Sequence, residues 1–256
     1  MTIRIGTSGW QYRDWRGPFY PRALPTARWL EYYATGFATV EANSPFYRLP
    51  ARATFEQWAA RTPDPFTFAV KASRYLTHVR RLQDPADPVA RFLERAAGLG
   101  PKLGPVLLQL PPTMRLELGR LAETLAAFGE GVRVVVEPRH ESWHVDALYD
   151  LLADHDAALC LWDRRSQHGP LVRTASWCYL RLHEGRTATP PGYGRRALAT
   201  WAARLVERWG PGADGYAYFN NDAGASAVRD ARTFARLAAA AGLANASAPG
   251  PPTSPT

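Results

Sequence analysis

Glu41 and Glu137 are the residues on which chemistry in this chain most naturally centres. Two carboxylates facing one another across a cleft can divide into general acid and base, or acid and nucleophile, on a glycosidic bond, and their separation decides which. Lys71, Arg139 and Arg181 suit a phosphate, sulfate or carboxylate group. A lysine in cationic company also loses its proton more readily and can serve as base or Schiff-base nucleophile. His183 and His140 are candidate proton shuttles, and His78 adds a third imidazole. The amides of Asn43, Gln109, Asn220 and Asn221 can fix hydroxyls or carbonyls. Trp10, Tyr12 and Tyr47 can stack on a sugar face or simply wall a cavity. The catalytic assignment is therefore Glu41, Glu137, His183, His140 and Lys71. Substrate binding falls to Asn43, Gln109, Arg139, Arg181, Asn220, Asn221, Trp10, Tyr12, Tyr47, His78 and Asp163. A structural alternative stands beside it, in which the glutamates and cations neutralise one another.

Two metal readings are weaker. Glu41, Glu137, Asp163 and His183 could supply donors, but no ligand spacing supports them, so neither a metal nor a cofactor is predicted. His140-Glu141-Ser142-Trp143-His144 matches the zinc-protease pattern in letters only. That pattern needs a helix, with both histidines on one face. Here it follows a strand-like run and a proline, and Ser142 reads as a helix N-cap.

The elements that must carry these residues are short apolar runs, each ending in a polar group. Ile3 to Gly6 leads into Thr7-Ser8, and Thr39-Val40 into Glu41. Phe66 to Val70 leads into Lys71, and Val106 to Leu108 into Gln109. Val134 to Val136 leads into Glu137, and Ala158 to Trp162 into Asp163. Tyr179-Leu180 leads into Arg181 and His183, and Tyr216 to Phe219 into Asn220-Asn221. Between them lie stretches with helical spacing, such as Leu118, Leu121, Leu125 and Phe128. Strict alternation means parallel strands with crossovers. The predicted fold is α/β, a single TIM-like (β/α) barrel of about eight parallel strands with its site at their carboxyl ends. Alternation along each strand turns Lys71, Glu137, Arg181 and His183 inward. Residues 164–176 show no helix, so one crossover is irregular. The barrel domain is expected to span residues 1–242, followed by a disordered tail over 243–256, rich in Ala, Pro, Ser and Gly.

The chain has 256 residues and a net charge of +8. Only Lys71 and Lys102 are lysines, so 29 of the 31 basic residues are arginines; the pairs Arg80-Arg81, Arg164-Arg165 and Arg195-Arg196 are separate, and there is no dense run. That charge permits an anionic partner without marking a nucleic-acid interface. No run approaches a membrane span, and nothing at the N-terminus reads as a signal peptide, so a cytoplasmic location with no membrane partner is expected. Cys160 and Cys178 read as small buried side chains.

A set of motifs in order resembles one family. They are Gly6-Thr7-Ser8-Gly9-Trp10-x-Tyr12 with Trp15, Gly17 and Phe19-Tyr20-Pro21; Val40-Glu41-x-Asn43-x-x-Phe46-Tyr47; and Lys71 with Thr77-His78. Gln109-Leu110-Pro111-Pro112, Glu137-x-Arg139-His140-x-Ser142-Trp143, Tyr179-x-Arg181-x-His183 and Tyr218-Phe219-Asn220-Asn221 complete it. Together they are similar to domain of unknown function 72 over about residues 3–240. The resemblance implies a TIM-like barrel and no settled activity. Family usage is commonly His-Gly where this chain has His183-Glu184. The reading is an acid/base, hydrolase-like enzyme for a small anionic or sugar-like ligand. Its rivals are a nucleic-acid-binding or repair-associated protein with a basic, aromatic-rimmed mouth, and a ligand-binding barrel without turnover.

Overall fold

The computed structural model describes residues 1–187 and 192–246. Its strands are β1 (Thr2–Thr7), β2 (Thr39–Ala42), β3 (Thr67–Lys71), β4 (Leu103–Gln109), β5 (Val134–Glu137), β6 (Ala158–Leu159), β7 (Leu161–Arg164), β8 (Gln167–His168), β9 (Cys178–Glu184), β10 (Asp214–Phe219) and β11 (Ala244–Asn245). The helices are α1 (Trp29–Gly36), α2 (Ser44–Tyr47), α3 (Arg52–Ala60), α4 (Ala86–Ala96), α5 (Leu118–Phe128), α6 (Asp146–Asp154), α7 (Arg195–Trp209) and α8 (Ser226–Ala240). Seven of the eight apolar runs read from the sequence each fall in one strand here, and the eighth, Ala158 to Trp162, is divided at Cys160 between β6 and β7. The irregular crossover holds a hairpin, with β8 antiparallel to β7 and Arg165 and Ser166 at positive φ in its turn.

Hydrogen bonding arranges the strands in two sheets, β11-β1-β10-β9-β7-β8 and β2-β3-β4-β5-β6, parallel except for the β7–β8 hairpin. The sheets meet at two places. At one, Cys160 alone separates β6, paired to β5, from β7, paired to β9. At the other, Ser8 bridges Glu41 in parallel beyond the end of β1. Gly6 makes this second approach possible, because a Cβ there would lie 2.2 Å from the Thr39 carbonyl oxygen. The Tyr33 hydroxyl from α1 stitches the same seam, accepting from the Thr7 N–H at 2.9 Å and donating to the Thr39 carbonyl at 3.1 Å.

Side-chain parity sorts the core into two compartments. Ala69, Leu107, Val135, Ala158, Cys160, Tyr179, Tyr216 and Tyr218, from both sheets, pack together on the inner side. Val40, Phe68, Val70, Val106, Val136, Leu161 and Phe219 point the other way, into the larger cluster shared with the helices. Burying each such side chain contributes about 1.5–3 kcal/mol, so the outer layer dominates the stability. Both cysteines are free and buried.

One boundary differs from expectation. Residues 243–246, expected to open the tail, pack and pair with the fold. Leu243 is buried, and Ala244–Asn245 pair with β1, with the Ala244 N–H 2.9 Å from the Met1 carbonyl. An apolar anchor and free edge groups on β1 outweigh a composition that reads as disordered. The rest of that stretch, 247–256, lies outside the described residues. No helix among the described residues is long and apolar enough to cross a membrane.

Candidate functional site

Inward positions near the carboxyl ends of β2, β3, β4, β5 and β9 bring Glu41, Lys71, Gln109, Glu137 and Arg181 into one connected network. Arg181 sits at its centre, 2% exposed. Its Nε and Nη2 donate to both oxygens of Glu41, at 3.0 and 2.8 Å, in the bidentate geometry that suits a guanidinium. Its Nη1 donates to Glu137 at 2.7 Å. Ser8 Oγ and Tyr179 OH complete the shell of Glu41, at 2.7 and 2.6 Å. Around Glu137, Gln109 Nε2 donates to one oxygen at 2.7 Å, and Arg139 Nη2 approaches the other at 2.6 Å. Lys71 Nζ donates to Gln109 Oε1 at 2.8 Å and stands 4.0 Å from the centre of the Phe46 ring.

These contacts set the protonation states. Burial alone would raise both glutamates, but Arg181 and their other partners together outweigh it. Tyr179 and Ser8 help to hold Glu41 below the ordinary carboxylate range, and His183 and Arg139 hold Glu137 well below it. Both are ionised at neutral pH and their oxygens are fully engaged. A glycosidase-type general acid needs a raised pKa, so an acid/base split between Glu41 and Glu137 does not fit. Lys71 is pushed down to about 8 by burial and by Arg181, against the pull of the two glutamates. Arg181 and Arg139 balance the two carboxylates, so Lys71 adds the surplus positive charge.

His183 lies one step further out, two residues beyond Arg181 on the same face of β9. Its Nε2 is 3.3 Å from Glu137 Oε1, and Asn220 Nδ2 is 3.0 Å from its Nδ1. Arg139 Nη2, which can only donate, also stands 3.2 Å from Nε2, so that nitrogen faces a carboxylate and a guanidinium together while Nδ1 faces Asn220. Burial lowers the His183 pKa despite Glu137, so the ring is neutral at pH 7. His183, Asn220, Arg139, Arg164 and Asp222 share the lining of an open cleft of about 400 Å³.

Asp222 was not anticipated from the sequence. It follows Asn220-Asn221 in the loop after β10, and its Oδ1 is buried without a hydrogen-bond partner. Burial, with the nearby Glu41 and Asp14 charges, raises its pKa to about 7 against the opposing hydrogen bond of Tyr12 to the same carboxyl. Its signal in the sequence was only a third polar residue after a strand.

A family model described as "Protein of unknown function DUF72" matches residues 4–254. The chain belongs to the DUF72 family. It is 35% identical over 139 residues to the UPF0759 protein YecE of Escherichia coli K12, a match covering 54% of this chain and 48% of YecE. The chain thus spans about half the length of the curated relatives it matches. A crystal structure of a DUF72 protein from Thermotoga maritima superposes with a TM-score of 0.79 at 27% identity, over 93% of this chain and 99% of that one. D-psicose 3-epimerase of Clostridium cellulolyticum, solved with D-tagatose, gives a TM-score of 0.53 at 16% identity over 93% and 96% of the two chains, which is a likeness of fold.

Within this DUF72 fold several expected site residues face elsewhere. Asp163 follows outward-facing Leu161 at the same parity, and Trp201 Nε1 and Tyr193 OH bind its carboxylate at 2.8 and 3.1 Å. Asn221 takes the outward parity too and donates to Asp230 of α8 at 2.8 Å. Trp10 is buried edge-on against Trp58 of α3 at 5.2 Å, so it is wall and not a stacking platform. His140 caps the turn Glu141–Trp143, its Nδ1 accepting from the Ser142 N–H at 3.1 Å. Ser142 therefore caps no helix; its Oγ accepts from the Leu116 N–H at 2.9 Å, and Val145 precedes α6. Tyr12 donates to the Ser8 carbonyl, inside the wall beside Trp15. Tyr47 is 79% exposed on the rim, next to Phe46. His78 packs edge-on against Phe46 at 4.9 Å, on the Lys71 side. Asn43 keeps the inward parity and has a buried Oδ1 without a partner. Among the described residues no three His, Cys, Asp or Glu side chains converge as a metal site.

Proposed function

We propose that the strand-end cleft is an acid/base catalytic site for a small anionic, hydroxyl-bearing substrate, performing hydrolysis or a related proton transfer. We further propose that the two sheets complete a TIM-like barrel. The Gly6 seam and the strand continuing through Cys160 support that closure.

The observation that carries the functional reading is the pairing of His183 with Asp222 in one cleft beside Arg139 and Arg164. Environments that push two titratable groups toward opposite protonation states assign a base and an acid. In this reading the neutral His183 keeps its hydrogen on Nε2 toward Glu137, with Arg139 beside it, and presents the Nδ1 lone pair. A substrate hydroxyl that displaces the Asn220 amide meets that lone pair and can give up its proton. Asp222 keeps a proton up to about pH 7 and can deliver it to a leaving or developing oxyanion. Arg139 and Arg164 attract the anionic group. Glu41, Glu137 and Arg181 then act as positioning residues, holding His183 and Arg139 in place. Lys71 and Gln109 continue the polar surface inward.

The test is turnover of ribose 5-phosphate, glucose 6-phosphate and 6-phosphogluconate, followed by phosphorus and proton NMR in heavy water. Turnover of at least one is expected, with a bell-shaped pH profile. Its lower limb tracks His183 and its upper limb Asp222. His183→Asn should reduce the rate by about 10²–10⁴. A substrate processed equally well by that variant would overturn the assignment. Saturable binding of all three with no turnover would favour a ligand-binding protein.

A further inference from the structure

A second cleft, of about 580 Å³, lies beside the mouth and plays no part in the chemistry above. Arg48, Ser73, Tyr75, Arg80, Arg91 and Arg95 line it, drawn from the loops after β2 and β3 and from α4. Arg80 is paired with Asp84. Arg48, Arg91 and Arg95 form no salt bridge among the described residues, and the remaining carboxylate in the lining is Asp87. Arg91 and Arg95 are four residues apart on α4, where like charges repel on one helix face. Arg95 is fixed in the wall by its Nη1, which donates to the Leu49 and Pro50 carbonyls at 3.0 and 3.4 Å. Three guanidinium groups without a salt-bridge partner among the described residues concentrate positive potential around one hollow.

The backbone here is also strained. Residues Tyr75–Val79 form a wide turn closed by the Arg80 N–H on the Tyr75 carbonyl at 2.8 Å. Arg81, Leu82 and Asp84 follow at φ 49°, 61° and 43°, a conformation that side chains with a Cβ rarely adopt. Leu82 is fully buried and anchors the segment, while Tyr75 remains 53% exposed at the cleft. Strain of this kind clusters where a loop holds a ligand.

We propose that this cleft is a second binding site, for a phosphate ester carried on a ring, with the phosphate among Arg48, Arg91 and Arg95 and the ring against Tyr75. Arginine forks fit phosphate oxygens in two-point contacts, and a tyrosine face accepts a planar or sugar ring. The site stands apart from the proposed acid/base centre, because none of its lining residues belongs to the His183 cleft.

Calorimetric titration of the full chain with AMP, adenosine and inorganic phosphate at low ionic strength tests it. AMP should bind at least tenfold more tightly than adenosine. Arg91→Ala, at an exposed position, should weaken AMP at least tenfold without lowering the melting temperature. Tyr75→Leu should weaken AMP several-fold and leave phosphate unchanged. Arg139→Gln, in the other cleft, should leave AMP binding intact. The proposal fails if no probe binds, if Arg91→Ala has no effect, or if Arg139→Gln abolishes binding. It also fails if oligothymidylates bind progressively more tightly with length, since that would mark an extended nucleic-acid surface.

Discussion

Arg181→Met removes the one cation that holds two buried carboxylates. Three charged hydrogen bonds disappear, at 2.7, 2.8 and 3.0 Å, and Glu41 loses its one ion-pair partner among the described residues. Breaking a buried pair by deleting one member costs about 3–5 kcal/mol. Against a total stability of about 5–15 kcal/mol, such a loss is large. Urea denaturation at pH 7, followed by circular dichroism, reads it directly. The pH dependence provides a second and sharper check. In the native protein both carboxyls lie below their unfolded values, so their stabilising contribution is present above pH 4.5 and is lost as pH falls through the lowered values. Without Arg181, burial pushes Glu41 upward and folding takes up a proton. The deficit of the variant should therefore shrink between pH 7 and pH 5. Adding Glu41→Gln and Glu137→Gln should recover part of the loss by removing the stranded charges. A deficit below about 1 kcal/mol, or one of equal size at both pH values, would refute the reasoning.

Further outcomes follow from the same contacts. Asp163→Leu should destabilise by about 1–3 kcal/mol, because Trp201 Nε1 and Tyr193 OH lose their acceptor; phosphate titration of the mouth should give unchanged affinity. Lys71 carries a depressed pKa of about 8, so the unfolded chain binds more protons between pH 8 and 10.5 and native stability gains over that window. Urea midpoints at pH 8 and 10 should show the wild type gaining on Lys71→Met, and parallel midpoints would contradict the depressed value. Leu243→Ala should lower stability by about 2–3 kcal/mol, as expected for a buried anchor, whereas a neutral result would return residues 243–246 to the tail.

The strand ends were legible because a buried parallel strand is a short apolar run, and alternation then fixes which polar terminus faces inward. Glu41, Lys71, Gln109, Glu137, Arg181, His183 and Asn220 all follow from that rule. Asp163 and Asn221 did not, although the rule covers them. Each sits one residue out of phase, and an outward polar group is tolerated where a helix supplies Trp201 or Asp230. His140 misled because capping is a local geometry that a ring nitrogen can serve as well as a serine. Asp222 lay beyond reach, since its unpartnered oxygen arises only when loops far apart in sequence close over it. The roles of the glutamates were hidden for a related reason. Composition offers two acids and three cations, but only the folded distances show one guanidinium satisfying both acids.

That shared guanidinium also bears on the order in which the chain folds. Glu41 and Glu137 belong to a sheet built from one continuous stretch of sequence, β2 to β6, whereas Arg181 belongs to a sheet that unites β1 with strands from the far end. The first sheet can pair from neighbouring segments, which keeps its loop-closure entropy low. The second must wait for β10, more than two hundred residues after β1. During synthesis the two carboxylates emerge well before their partner. They must stay hydrated, or take up protons, until β9 docks and expels water from both at once. The step that completes the second sheet is therefore the step that turns two hydrated acids into a buried, paired network.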